Sequence, residues 1–215
     1  MQEILQHFFR DLQNTSLLEY IAVFAGIISV VFSRIENIWV YPTGLINTVI
    51  YIYLSFKFHL IGEASVNFYY TVMSIYGWWL WTRKDRKAQP LVIVTYSTQR
   101  EWLQQAGFFL FFYVAIFFAL TYLKRYFPGT IPWADAFASA TAYTGMWLMA
   151  KKKVESWWWW IATNLAAIPL YYVKGLVFTS VYYVVLLVLA VFGLMEWQRR
   201  GKAPGNAAIF ALENE

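Results

Sequence analysis

The sequence has 215 residues, of which 60% are hydrophobic and only 13% are charged. Ordinary soluble domains carry about a quarter charged residues, and a soluble chain of this size could not hide so much apolar surface from water, so the composition predicts an integral membrane protein. The chain contains no Cys and two His, which excludes disulfides, thiol catalysis and histidine-rich or cysteine metal centres.

Seven long apolar runs follow one another along the chain. They cover residues 17–33, 38–56, 64–82, 104–123, 133–150, 156–173 and 176–197. Each is close to the roughly 20 residues that a helix needs to cross a bilayer, and none alternates polar and apolar residues as a membrane strand does. The sequence therefore predicts an all-α membrane protein with seven transmembrane helices. Residues 1–16 contain no signal peptide and are expected to form an amphipathic surface segment or a frayed terminus.

The connections between the apolar runs differ in charge. Of the 17 Lys and Arg residues, 12 lie in the first, third and fifth connections and the C-terminal tail, 198–215, and five lie in the alternate set. Because basic loops stay in the cytoplasm, we expect a bacterial inner-membrane protein with its N-terminus outside and its C-terminus inside. The same distribution explains the net charge of +5 as topology, so no nucleic-acid partner is expected.

A similar pattern occurs on both sides of the basic connection 83–103. Asn47 precedes Gly77 by 30 residues, Asn164 precedes Gly193 by 29 residues, and each Gly is followed by Trp four residues later. We interpret the pattern as a duplicated three-helix unit. The alternative is a chance similarity between two Trp-rich helix ends.

The duplication predicts a 3+1+3 arrangement of helices. The two units are residues 17–82 and 133–197, and the run 104–123 is a single linker helix between them. With one helix between them, both units cross the membrane in the same direction. Transporters built from parallel repeats place their substrate site between the repeats near the bilayer midplane.

The most informative segment for function is the sixth apolar run. Trp157, Trp160 and Asn164 stand at positions i, i+3 and i+7, which lie within one stripe of a helix. Asn164 is roughly 13 Å from the cytoplasmic start of this helix, and Asn47 has a similar depth in the first unit. A carboxamide at that depth needs a partner in the protein or on a ligand, and indole rings can stack on a flat aromatic ligand. Two alternatives are an interfacial tryptophan belt for 157–159 and amides that only hold helices together.

Further candidate residues lie on the second and third runs. Glu63, Asn67 and Tyr70 share one helical face, and Tyr51 follows Asn47 by one turn. Glu63 is near the outer surface, where a solvated carboxylate is the alternative. The chain has no metalloprotease, hydrolase, nucleotide-binding or dinucleotide-binding motif, so neither an enzymatic activity nor a cofactor is expected. No run carries an Asp or Glu at its midpoint, which favours facilitated diffusion over ion coupling.

Three sequence motifs resemble those of the PnuC family of bacterial vitamin transporters. They are Arg34-Ile-Glu-Asn-x9-Asn47, Tyr76-Gly-Trp-Trp-Leu-Trp81 and Trp157-x-x-Trp160-x-x-x-Asn164. The resemblance extends from about residue 17 to residue 200. It implies a fold similar to that of the sugar-transporting SWEET proteins, a homotrimer, and uptake of nicotinamide riboside by facilitated diffusion with trapping by a cytoplasmic kinase.

The resemblance also implies which residues bind the substrate. The family's substrate motif falls on Trp157, Trp160 and Asn164, and Asn47 fits the corresponding motif of the first half. A position in span three that is often Gln in the family is Asn67 here. Nicotinamide riboside, thiamine and riboflavin are therefore all candidate substrates. Candidates from other classes are a membrane enzyme or accessory subunit and a purely structural helical bundle.

Overall fold

The computed structural model describes residues 16–57, 61–85, 88–126 and 129–203, with the backbone alone at 61–63. These residues form seven α-helices and no named strand, which confirms the all-α prediction. The surface segment 1–15 and the tail beyond 203 lie outside the described residues. The helices are α1 Leu17–Arg34, α2 Val40–Lys57, α3 Ile61–Thr82, α4 Gln99–Leu123, α5 Pro132–Ala150, α6 Ser156–Val173 and α7 Val177–Gly201.

Three of the described helices are long and apolar enough to cross a membrane by length and composition, namely α1, α4 and α7. Helix α4 has an apolar outer face, on which Leu103, Phe111 and Phe118 each expose about two thirds or more of their surface. Such a face is stable in hydrocarbon and costly in water. Helices α2 and α6 contain the two candidate amides, Asn47 and Asn164.

Capping boxes fix the starts of α1 and α4. The Ser16 hydroxyl accepts a hydrogen bond from the Glu19 amide, and the Glu19 carboxylate accepts one from the Ser16 amide. Thr98 and Glu101 form the same reciprocal pair at the start of α4. Each box satisfies two amide groups that the first helical turn leaves unbonded. The second box explains why α4 begins at Gln99, five residues before the predicted start of the linker helix.

Helices α1, α3, α5 and α7 finish at the same end of the molecule, which we call the basic end because it carries Arg34, Lys151, Lys152, Lys153 and Arg200. Two indoles connect the helices there. The Trp81 Nε1 donates to the Ala150 carbonyl at 3.0 Å, and the Trp197 Nε1 donates to the Ser33 and Arg34 carbonyls at 3.1 Å. The third helix of each segment thus satisfies terminal carbonyls on the first helix of the other. Helix α3 accordingly packs against α5, and α1 packs against α7.

Equivalent glycine contacts occur inside each three-helix segment. A side chain at Gly77 would overlap the ring of Tyr41, and one at Gly193 would overlap the ring of Trp157. The Tyr41 ring meets Trp81 edge-on at 5.2 Å, and the Trp157 ring meets Trp197 edge-on at 5.6 Å. Every residue of the second contact lies 116 positions after its counterpart in the first. Glycine is needed at both places because an aromatic ring lies directly on the helix backbone.

The connection between α3 and α4 is bonded to the second segment. The Thr95 amide donates to the Lys152 carbonyl at 3.2 Å, and the Val154 amide donates to the Thr95 carbonyl at 3.0 Å. The buried Glu155 carboxylate accepts hydrogen bonds from the Ser97 amide and, at 2.7 Å, from its hydroxyl. Burial and the nearby Glu155 carboxylate raise the pKa of the Tyr96 hydroxyl. The second half of the predicted basic loop is therefore an ordered part of the fold.

A buried amide fastens α4 to the same place. Gln105 is fully buried, its Nε2 donates to the Ser97 hydroxyl at 2.8 Å, and its Oε1 accepts from the Trp159 indole at 3.1 Å. Helix α4 packs against α5 along its length. The linker helix and the residues just before it are thus bonded to the second three-helix segment.

We expect Trp197→Phe to lower the free energy of unfolding by about 1–3 kcal/mol, because it removes the indole bonds to the Ser33 and Arg34 carbonyls that join α7 to α1. Unfolding of the detergent-solubilised protein, followed by circular dichroism or fluorescence, measures this change. Trp158→Phe is the matched control, since Trp158 is 51% exposed and its indole makes no hydrogen bond to the described residues. Equal stability of the two variants would contradict the role given to the Trp197 indole.

Candidate functional site

Trp160 lies at the contact between α5 and α6. A Cβ added to Gly145 would be 3.2 Å from the indole, so the absence of a side chain lets the indole lie against the α5 backbone. The ring centroid of Tyr70, from α3, is 6.0 Å from that of Trp160. Two predicted site residues from different three-helix segments therefore meet here.

Phenol rings from three helices extend this aromatic surface. The Tyr70 and Tyr143 rings meet edge-on at 6.4 Å, and Tyr143 is stacked on Tyr69 at 4.0 Å. The Tyr182 and Tyr183 side chains of α7 lie near the Tyr70 side chain. We call Tyr70, Tyr143, Trp160, Tyr182 and Tyr183 the aromatic cluster. It joins both segments and offers ring faces for stacking and hydroxyls for hydrogen bonds.

Asn164 is one turn after Trp160 on α6. It is 3% exposed, and its carboxamide makes no hydrogen bond to the residues that the structure describes. A buried polar group without a partner costs about 1–3 kcal/mol, and proteins retain few of them. The carboxamide is therefore free to bond a polar ligand beside the Trp160 ring.

Asn47 is bonded within the protein. Its Nδ2 donates to the Ala22 carbonyl of α1 at 2.7 Å. A side chain at Gly26 would meet both the Tyr182 hydroxyl and the Asn47 Nδ2, the latter at 2.8 Å, so both groups occupy the gap above that glycine. Asn47 holds α1 and α2 together, as the alternative interpretation of buried amides expected, and it does so beside a tyrosine of the aromatic cluster.

The interval of 116 residues does not make the two amides counterparts. Helices α2 and α6 begin 116 residues apart, at Val40 and Ser156, which aligns Asn47 with Thr163 and Thr48 with Asn164. The difference of one residue is about 1.5 Å along a helix and about 100° around it. The amides therefore share a depth in their helices but occupy different faces, so the sequence argument from mirrored amides was one position out of register.

Trp157 lies outside the aromatic cluster. It is 1% exposed, its ring lies on Gly193 and against Trp197, and its Nε1 has no hydrogen-bond partner among the described residues. Full burial under α7 does not fit an interfacial belt, and the substrate role predicted for Trp157 stays a prediction. Trp158, which is 51% exposed, fits the belt interpretation. The i, i+3 spacing missed this difference because Gly193 lets α7 cover the first turn of α6.

The remaining predicted site residues are Tyr51, Asn67 and Glu63. The Tyr51 side chain lies near that of Tyr182, close to the cluster. Asn67 is half-buried one turn before the Tyr70–Thr71 step, and its backbone carbonyl accepts the Thr71 hydroxyl at 2.9 Å. The side chain of Glu63 lies outside the described residues.

Sequence reasoning missed three members of the cluster, Tyr143, Tyr182 and Tyr183. A signal was present for one of them, because the interval of 116 residues aligns Asn67 with Tyr183. No spacing rule pointed to Tyr143, whose position follows from the packing of α5 against α3. Within the described residues, no three His, Cys, Asp or Glu side chains are grouped to hold a metal ion.

Comparison with known proteins identifies a family and several relatives that this chain resembles. A family model described as nicotinamide mononucleotide transporter matches residues 16–199. The riboflavin/roseoflavin transporter RibM of Streptomyces davaonensis is 25% identical over 187 residues, which cover 86% of this chain and 85% of the relative. The nicotinamide riboside transporter PnuC of Escherichia coli is 22% identical, with 91% of each chain covered. The crystal structure of the vitamin B3 transporter PnuC superimposes with a TM-score of 0.71 at 24% identity, covering 93% of this chain and 90% of the other.

Proposed function

The chain belongs to the nicotinamide mononucleotide transporter family, and from that premise we propose that it imports nicotinamide riboside by facilitated diffusion. The resemblance to the PnuC family drawn from the sequence is confirmed by this match and by the fold. The chain is thus an integral membrane protein of a transporter family rather than a member of an enzyme family. Riboflavin or thiamine is the alternative substrate, and the similarity to RibM supports riboflavin in particular.

One observation carries the proposal: Asn164 is a buried residue whose carboxamide makes no hydrogen bond to the described residues, and it lies one turn from an indole that faces the tyrosines of the cluster. A nicotinamide ring can stack on Trp160 or Tyr70, and its carboxamide or ribose hydroxyls can bond Asn164. We assign Trp160, Asn164 and Tyr70 to the contact with substrate. Tyr51, Asn67 and Asn47, whose Nδ2 is bonded to α1, are proposed for the opposite wall. Glu63 stays a substrate-contact prediction from the sequence, and Trp157 is proposed to support α6 from behind.

The proposed architecture is a 3+1+3 arrangement of seven transmembrane helices similar to that of SWEET proteins. The reciprocal contacts of Trp81 and Trp197, and the two glycine contacts 116 residues apart, support two parallel units, 17–82 and 133–197. Bonding of α4 to the second unit through Gln105 supports its role as a linker helix. A homotrimer in the inner membrane, with the basic end in the cytoplasm and a kinase that traps the vitamin, completes the proposal.

Thermal stability in the presence of each vitamin tests the substrate. We expect nicotinamide riboside to raise the unfolding temperature of the detergent-solubilised protein, with a free energy of about 2.7 kcal/mol at a concentration 100 times Kd, because it binds only the folded state. Thiamine and riboflavin are measured alongside it. A shift with riboflavin alone would reassign the substrate, and no shift with any of the three would favour a structural bundle.

Uptake by liposomes that contain only the purified chain separates a transporter from an accessory subunit. We expect the riboside to equilibrate across the membrane without accumulating, since facilitated diffusion has no energy source. Accumulation that depends on an ion gradient would contradict facilitated diffusion. Liposomes that remain impermeable to every vitamin of the panel would contradict transport itself.

A further inference from the structure

Two equivalent turns meet at the basic end. Glu36 lies between α1 and α2, Lys152 lies between α5 and α6, and the two positions are 116 residues apart. Both residues adopt the left-handed backbone conformation, with φ of 57° and 54°. For residues other than glycine this conformation costs about 1–2 kcal/mol, so its occurrence at both positions calls for a compensating contact. The compensating contact is between the two residues themselves, because the Lys152 Nζ is 2.9 Å from the Glu36 carboxylate.

Two further side chains surround this ion pair. The Arg200 Nη1 donates to the second oxygen of Glu36 at 2.7 Å, and the Lys152 Nζ is 4.4 Å from the centre of the Trp81 ring. The side chains of Glu36 and Lys152 are mostly buried, so salt screens their attraction less than it screens a surface pair. Glu36 of the first unit thus contacts Lys152 and Arg200 on the far side of the boundary between the units. Lys152 in turn contacts Glu36 and Trp81 of the first unit.

The side-chain bonds of Glu36 to Lys152 and Arg200 cross from one unit to the other, and Arg200 also pairs with Glu196 of its own helix. A further crossing bond comes from the Ser33 hydroxyl, which donates to the Met149 sulfur at 2.9 Å. At the opposite end, the described ion pair between Asp135 and Lys174 lies within the second unit. Within the described residues, the ion pairs that join the two units therefore lie at the basic end.

We propose that Glu36 and Lys152 form a gate at the basic end, and that this ion pair breaks in each transport cycle to release substrate from the aromatic cluster. The inference rests on the proposed transport function and extends it from the site to its exit. Because the two positions are counterparts in the duplicated unit, separation of the units moves them apart. The bonds of Thr95 and Ser97 to the Lys152–Glu155 segment move with the second unit and need not break.

Cross-linking tests the gate, and the chain is suited to it because it contains no native Cys. In Glu36→Cys/Lys152→Cys, a short bis-methanethiosulfonate reagent should reduce uptake into liposomes at least tenfold, and a reducing agent should restore it. The control pair, Asp135→Cys/Lys174→Cys, is cross-linked within one unit and should retain uptake. Uptake that is unchanged in the cross-linked gate variant would overturn the gate. Vitamin-induced thermal stabilisation of that same variant would leave the proposed substrate function intact.

Labelling supplies a readout that does not need transport. Ser33 is buried at the basic end, so a Ser33→Cys reporter should react slowly with a membrane-impermeant thiol reagent added from the cytoplasmic side. Adding Lys152→Gln should increase the labelling rate several-fold, because Glu36 loses its partner across the units. Lys151→Gln is the control, since the Lys151 Nζ lies over Trp147 of its own unit. Equal labelling rates for the two variants would overturn the gate.

Discussion

Asn164→Ala should reduce uptake of the vitamin at least tenfold while leaving the apo protein as stable as the parent. The carboxamide has no partner among the described residues, so its removal breaks no described hydrogen bond. Loss of one or two bonds to a bound ligand in a buried site costs about 1.5–3 kcal/mol, which corresponds to roughly 10–100-fold in affinity. The defect should therefore appear as a lost ligand-induced rise in unfolding temperature, with an unchanged temperature for the apo protein.

Asn47→Ala is the comparison that separates a ligand-binding amide from a structural one. It removes the hydrogen bond to the Ala22 carbonyl at 2.7 Å, which joins α2 to α1. We expect a lower free energy of unfolding, by about 1 kcal/mol, in the absence of any ligand. If Asn164→Ala proves the less stable of the two apo variants, or if it transports normally, then Asn164 serves packing and the site assignment fails.

The sequence predicted those features that depend on periodicity and composition. Seven apolar runs gave seven helices, and the predicted ends of α3, α5 and α6 agree with the structure within a residue or less. The Gly–Trp pairs at Gly77 and Gly193 marked genuine contacts. These predictions succeeded because helix length and helix faces are set locally, by the hydrocarbon thickness and by 3.6 residues per turn.

The site was predicted less completely, because it depends on which helix covers which face. Trp157 and Trp160 are three residues apart on α6, yet Gly193 of α7 covers the first and Gly145 of α5 lies against the second. Only the packing of three helices separates their roles. The attachment of Ser97 and Gln105 to the second unit was also missed, since those bonds join residues 58 and 54 positions apart.

The second large loss of stability is expected when a side chain is added at the contact between Gly193 and Trp157. Gly193→Ala places a methyl group inside the van der Waals radius of the six-membered ring of Trp157, which is itself 1% exposed. Because neither the buried ring nor the helix backbone can move freely, we expect a loss of about 1–3 kcal/mol or more in the free energy of unfolding. Uptake should fall with it, since the displaced Trp157 lies on the helix that carries Trp160 and Asn164.

Gly107→Ala is the matched control for this substitution. Nothing lies within 4 Å of a Cβ built at Gly107, which is on α4, so the variant should be as stable as the parent or more stable by up to about 1 kcal/mol from helix propensity. Chemical unfolding in detergent measures both variants under one condition. A Gly193→Ala protein that unfolds like Gly107→Ala would show that α7 does not need glycine to cover Trp157.

A substitution of Trp157 tests whether its ring causes the loss of stability in Gly193→Ala. The atoms nearest to the added methyl belong to the outer edge of the indole, which a phenylalanine ring lacks. Trp157→Phe should therefore be destabilising alone, through the space it leaves, and less so in combination with Gly193→Ala, whose methyl occupies that space. The double-mutant cycle should give a favourable coupling of about 0.5–3 kcal/mol. Additive losses would mean that the methyl strains the α7 backbone rather than the Trp157 ring, and that α6 is held in place by other contacts.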